Sequence, residues 1–132
     1  MKYLLDTHII LWALINDEHL SKKVIDIIND SNNDIYFSSI SPWEVEIKHQ
    51  KKDSFKLTGK QLTFLCEQNG LLDIPIKNKH IDELENLKND NKIKHSDPFD
   101  RMLLCQAISE NMILITHDHK FEAYESKNVL IV

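Results

Sequence analysis

Five short apolar runs, 2–5, 35–37, 71–76, 112–115 and 129–132, are each separated from the next by stretches with helical spacing. Apolar runs this short, without a polar residue at every second position, read as strands buried on both faces, and strands that alternate with helices favour a parallel sheet joined by right-handed crossovers. The sequence therefore predicts an α/β fold: a mostly parallel five-stranded sheet flanked by helices, in one domain over residues 1–132. A chain of 132 residues that is 42% hydrophobic and 28% charged suits one hydrophobic core and not disorder. No apolar run nears the roughly 20 residues that cross a bilayer. Asp6 interrupts the N-terminal apolar run too early for a secretory segment, so a cytoplasmic location and no membrane partner are expected. Cys66 and Cys105 form no disulfide framework and no C-x-x-C, and read as buried thiols. With glycine only at positions 59 and 70, glycine-rich phosphate cradles are excluded.

The helix boundaries carry their own signals. Residues Ile9 to Ile15 are apolar nearly all round, which predicts a heavily buried helix closed by Asn16-Asp17, and Ser21 is placed to cap a second, amphipathic helix. Ser41-Pro42-Trp43-Glu44 has the form of a capping box, with Ser at the N-cap, Pro at N1 and Glu at N3. Thr58-Gly59-Lys60-Gln61 repeats that logic, with Gly70 as the stop, and Asn78 is placed to cap a helix through Ile81, Leu84 and Leu87. The sharpest start is Ser96-Asp97-Pro98-Phe99-Asp100-Arg101: Ser96 or Asp97 caps, Pro98 is the first helical residue, and Asp100 falls in the first turn. There the helix dipole favours an ionised carboxylate.

In a parallel α/β sheet, the carboxyl ends of the strands and the N-termini of the following helices share one edge, where ligands bind. Asp6, Glu44, Asp100 and Asp118 all fall at such positions. Gathered carboxylates repel by roughly 4 kcal/mol per pair at 4 Å and an effective dielectric near 20, which a divalent cation offsets. An all-oxygen donor set selects Mg²⁺ or Mn²⁺, which holds one or two such carboxylates directly, keeps several waters and suits phosphodiester hydrolysis; Asp6, Asp100 and Asp118 are the candidate metal ligands and Glu44 a candidate catalytic acid. Thr7, Ser41 and Thr116 lie close enough in sequence to orient a carboxylate, or else serve as local turn and cap residues. Arg101, the only arginine, pairs by default with a neighbouring acid, and otherwise with a phosphate or a partner protein. His117-Asp118-His119 and Asp6-Thr7-His8 match no standard zinc spacing; His8 reads as a polar residue at the mouth of the pocket. The net charge of −5 runs against nucleic-acid binding, yet the lysines are clustered, and Lys48, Lys51, Lys52 and Lys94 are candidate RNA contacts on basic rims beside an acidic centre.

Four blocks together resemble the PIN-domain family, and within it the VapC-type toxins of bacterial toxin–antitoxin pairs: Tyr3-Leu4-Leu5-Asp6-Thr7-His8, residues 39–48 around Glu44, Asp97-Pro98-Phe99-Asp100-Arg101, and Leu114-Ile115-Thr116-His117-Asp118. The resemblance covers essentially the full chain. It implies a Mg²⁺- or Mn²⁺-dependent endoribonuclease with Asp6, Glu44, Asp100 and Asp118 as the acidic quartet, Thr116 as a supporting hydroxyl, a homodimer, and a small antitoxin as partner. Asp97 belongs to the same motif; the spacing of Asp100 to Ala107 favours Asp100 as the ligand. Glu46 departs from the pattern, where a small or apolar residue is usual. The competing readings are a phosphoaspartyl protein of the receiver or haloacid-dehalogenase-like kind, which would need an acid pair or D-x-D after the first strand and a late lysine, and a catalytically idle binding module on the same fold.

Overall fold

Leu4 and Leu5 set the architecture by pointing to opposite faces of one strand: each is fully buried, Leu4 in one core cluster and Leu5 in the other. The computed structural model describes residues 1–88, 95–124 and 126–132. Strand β1 (Lys2–Leu5) is central, β2 (Asp34–Ser38) and β4 (Ile113–Thr116) flank it, and β3 (Leu72–Ile74) and β5 (Val129–Ile131) form the edges. The order is β3-β2-β1-β4-β5 and every pairing is parallel. The five strands and the α/β class are those expected from the apolar runs.

Six α-helices connect the strands among the described residues: α1 (Thr7–Leu14), α2 (Lys22–Asn29), α3 (Ile40–Lys51), α4 (Gly59–Gln68), α5 (Asn78–Asp82) and α6 (Pro98–Ser109). Leu103, Leu104 and Leu114 anchor the core on the Leu4 face, while Ile9, Ile10, Phe37, Leu62 and Ile115 fill the other. Both thiols are buried there, and burial pushes Cys66 up to about 12 and Cys105 up to about 11, far from reactive.

Several caps form as expected. Ser21 accepts from the Val24 amide, Thr58 and Gln61 form a reciprocal box, and Gly70 adopts a left-handed φ of +79° after α4. Asp97 Oδ1 accepts from the amides of Phe99 and Asp100 at 2.8 and 3.2 Å, with Pro98 first in the helix. Three expectations are corrected. Helix α1 buries only Thr7, Ile9 and Ile10; Leu11 to Leu14 are half-buried and Ile15 is exposed. Helix α5 begins at Asn78 and stops at Asp82, giving way to a 3-10 turn over Glu83–Asn86, and the Lys77 amide donates to His80 Nδ1. Helix α3 begins at Ile40, before Ser41, so the Ser41–Glu44 capping box does not exist: Ser39 precedes the helix with no side-chain cap. The order Ser-Pro-x-Glu has the right composition, but the N-terminal turn is already closed one residue earlier, where the Ser38 hydroxyl accepts from the Ile40 amide.

Candidate active site

Between β1 and β4 the strand order reverses direction from β1, the switch point at which an open α/β sheet forms its crevice. Parallel register aligns Leu5 with Ile115, and the Asp6 amide donates to the Ile115 carbonyl, so Asp6 and Thr116 emerge side by side at the carboxyl edge. A cleft of about 450 Å³ opens there, lined by Asp6, Glu44, Asp97, Asp100 and Asp118 on its acidic side and by His8, Trp12 and His117 on the other. All four acids of the expected quartet are thus brought together, and His8 stands where the sequence put it. Among the described residues no lysine or arginine lines the cleft.

Each acid is held by a specific donor. Asp6 is buried; its Oδ1 accepts from the Thr7 amide at 2.7 Å and its Oδ2 from the Thr116 hydroxyl at 2.6 Å. Thr116 Oγ1 in turn accepts from the Asp118 amide at 3.1 Å, linking the acids that follow β1 and β4. Glu44 Oε1 accepts from the Thr7 hydroxyl at 2.8 Å. Thr7 has one hydroxyl proton, so Ser41, fully buried and 2.9 Å away, donates to Thr7: the chain of donation runs Ser41 to Thr7 to Glu44. The two side chains that the sequence offered as helix caps are spent on the cleft instead. Asp118 Oδ1 accepts from the Lys120 amide, and Asp100 Oδ2 lies 3.1 Å from His95 Nε2.

The cluster is electrostatically unfavourable on its own. Burial, reinforced by the charges of Asp6, Asp100 and Asp97, pushes Glu44 up to about 7 against its hydrogen bond from Thr7. Burial also pushes Asp100 up to about 6, with the His95 hydrogen bond acting the other way. Desolvation therefore outweighs the helix dipole that favoured an ionised Asp100. Asp6 is raised too, by burial first and by Asp118 last, against donation from Thr116 and Thr7. Raised carboxyls at close quarters, with no cation in the cleft wall, are the electrostatic signature of a functional site.

His95, which follows Lys92 and Lys94 in the sequence, joins the site although its lysine neighbours do not announce it. It is buried, sits edge-on to Phe121 at 4.8 Å, and its ligating atom lies within 4.8 Å of those of Asp100 and Asp118. Its Nδ1 is buried without a hydrogen-bond partner among the described residues. The sequence signal was its position five residues before Asp100, just ahead of the cap. Other predicted residues lie outside the cleft. Lys48 rests over the Phe55 ring at 4.7 Å, and Lys51 and Lys52 sit at the far end of α3 from Glu44. Lys94 lies outside the described residues. The default pairing of Arg101 with an acid is not seen: no ion pair among the described residues involves it, and its guanidinium instead lies beside Tyr124. Glu46, the departure from the family pattern, accepts from the Gly59 amide at 3.1 Å and from Gln50, tying α3 to the start of α4.

Comparison with known families decides the identity of this fold: the PIN domain matches residues 3–127, nearly the whole chain. The chain belongs to the PIN domain family. This PIN domain superposes on VapBC2 from Rickettsia felis bound to a promoter DNA fragment, with a TM-score of 0.73 and 22% identity over 100% of this chain and 98% of that one. DNA-bound VapBC from Salmonella typhimurium gives 0.70 and 17% over 99% and 98%. VapBC-1 from nontypeable Haemophilus influenzae gives 0.67 and 20% over 93% and 92%. No curated protein matches the sequence significantly.

Proposed function

We propose that this PIN domain is a metal-dependent endoribonuclease that hydrolyses RNA phosphodiester bonds and acts as the toxin of a toxin–antitoxin pair. The observation that carries the reading is the cleft itself, where five carboxylates meet with no lysine or arginine among the lining residues. The donor set fits a hard divalent cation: acidic oxygens dominate, and a Mg²⁺ or Mn²⁺ ion would favour the ionised forms of Glu44 and Asp100 that burial first, and neighbouring carboxylates second, disfavour. Asp6, Asp100 and Asp118 are the residues proposed to hold it. Asp100 is favoured over Asp97 because its carboxylate oxygen lies within 4.8 Å of a ligating atom of Asp118 and of His95, a group that does not include Asp97. Bound there, such an ion supplies charge neutralisation at a scissile phosphate.

The chain's own residues then divide the work. Thr116 and the Thr7 amide fix both oxygens of Asp6, so its carboxylate cannot rotate away from the cleft. Glu44, oriented by the Thr7 hydroxyl, is placed to take a proton from an attacking water. Asp6 itself is buried, which limits the access of bulk solvent to its carboxylate. Lys48, Lys51, Lys52 and Arg101 lie off the cleft and would meet only more distant parts of an RNA or a partner protein. The VapBC complexes among the related structures support an antitoxin partner, and the family resemblance a homodimer. A cytoplasmic site of action belongs to the same reading; no helix among the described residues is long and apolar enough to cross a membrane.

The test is cleavage of single-stranded RNA by the purified protein with Mg²⁺ or Mn²⁺. Activity should vanish with chelator and in Asp6→Asn, whose fold is checked by circular dichroism. A folded Asp6→Asn protein that cuts as fast as the parent would assign the activity elsewhere.

A further inference from the structure

The non-acidic wall of the cleft has a composition that the proposed hydrolysis does not use. Trp12 is half-buried there, with the exposed His117 imidazole edge-on at 5.2 Å and the exposed His8 imidazole tilted at 6.2 Å. His19, which is not among the residues lining the cleft, stacks on the indole at 5.2 Å and 18° between planes, and Asp17 holds His19 through its ring nitrogen. The indole plane is thus fixed before any ligand arrives. The chain carries a net charge of −5, and among the described residues no lysine or arginine lines this cleft, so long-range attraction for a polyanion is weak there and uncharged contacts gain weight in binding. Stacking on an aromatic face is the sequence-tolerant contact that single-stranded nucleic acid offers, and it is denied to bases inside a duplex.

We propose that Trp12, with His8 and His117, forms a subsite that stacks one nucleobase next to the phosphate held at the acidic side. The proposal rests on the RNA-hydrolase reading and adds what that reading lacks, a contact that recognises a base. It requires single-stranded substrate and contributes affinity independent of net charge.

The probes are two unlabelled hexamers of equal charge, one of ordinary ribonucleotides and one abasic throughout, used as competitors of a labelled RNA in the cleavage assay. One stacked base is worth a factor of roughly 5 to 150 in affinity, so in the parent the ordinary hexamer should inhibit at about tenfold lower concentration or better. Trp12→Phe should keep most of that preference and Trp12→Ala should lose it. Because Trp12→Ala may not fold, the indole is also read directly: in Trp43→Phe, where Trp12 is the sole tryptophan, its emission should change with the ordinary hexamer and not with the abasic one. Equal inhibition by both hexamers in a parent that cleaves RNA, or emission indifferent to the bases, overturns the subsite alone. Absence of any cleavage by the parent overturns the hydrolase reading beneath it.

Discussion

Glu44→Gln should stabilise this protein in the absence of metal, and only at neutral to alkaline pH. In the folded chain the carboxyl is pushed from 4.5 up to about 7, chiefly by burial. The unfolded chain therefore ionises first as the pH rises, releasing protons that the folded chain retains, and folding stability falls between about pH 4.5 and pH 7 before levelling off. At about 1.36 kcal/mol per pH unit the full shift corresponds to roughly 3 kcal/mol. Glu44 is partly open to the cleft, so solvent screening reduces this to about 1–2 kcal/mol. Glutamine keeps an oxygen for the Thr7 hydroxyl while removing the charge, which leaves the 2.8 Å hydrogen bond available. The assay is thermal or urea unfolding in chelator at pH 5 and pH 8. The variant should match the parent at pH 5 and exceed it at pH 8 by about 1–2 kcal/mol, a rise in Tm of about 5 °C for a domain of this size. Saturating Mn²⁺ should narrow or reverse the difference, because the cation stabilises the parent in proportion to its occupancy. A variant equally stabilised at both pH values, or destabilised at pH 8, would refute the claim that holding this buried carboxylate ionised is what the fold sacrifices.

Other consequences follow from the same geometry. Thr116→Val removes the donor to Asp6 and the acceptor of the Asp118 amide at a fully buried position, so it should cost about 2–3 kcal/mol in denaturant unfolding and weaken Mn²⁺ binding in a titration. His95→Phe removes the donor that lowers Asp100, so the Asp100 carboxyl, followed by carbon-detected NMR, should titrate above about 6, and the pH at which Mn²⁺ binds half-maximally should rise. Glu110 is held down to about 2 by Lys79 and His80; its stabilising contribution is present above the ordinary carboxylate range and lost as the pH falls toward 2, so Glu110→Gln should flatten the acid side of the stability curve.

The strands and the acidic edge were legible in the sequence because both follow from chain order: short apolar runs make a parallel sheet, and a parallel sheet collects strand ends on one side. Asp97, Thr58 and Gly70 were legible because capping is local, decided within a few residues. The failures are non-local. Ser41 and Glu44 have cap composition, but their hydroxyl and carboxylate face Thr7, which lies 34 and 37 positions away, and nothing in the local pattern discloses that partner. Helix α1 is apolar all round, yet Leu11 to Leu14 pack against the core while staying half-buried and Ile15 is exposed, because one side of the helix faces no other element among the described residues. His95 looked like part of a charged loop because its neighbours are lysines; it is buried because Phe121 and Tyr124, from beyond β4, fold over it.

The central claim is that Asp6, Asp100 and Asp118 form one cation site, and Mn²⁺ binding followed by electron paramagnetic resonance tests it without reference to any substrate. The parent should take up Mn²⁺, and folded Asp6→Asn, Asp100→Asn and Asp118→Asn should each lose that uptake. Undiminished Mn²⁺ binding in any of the three, or none in the parent, would contradict the account.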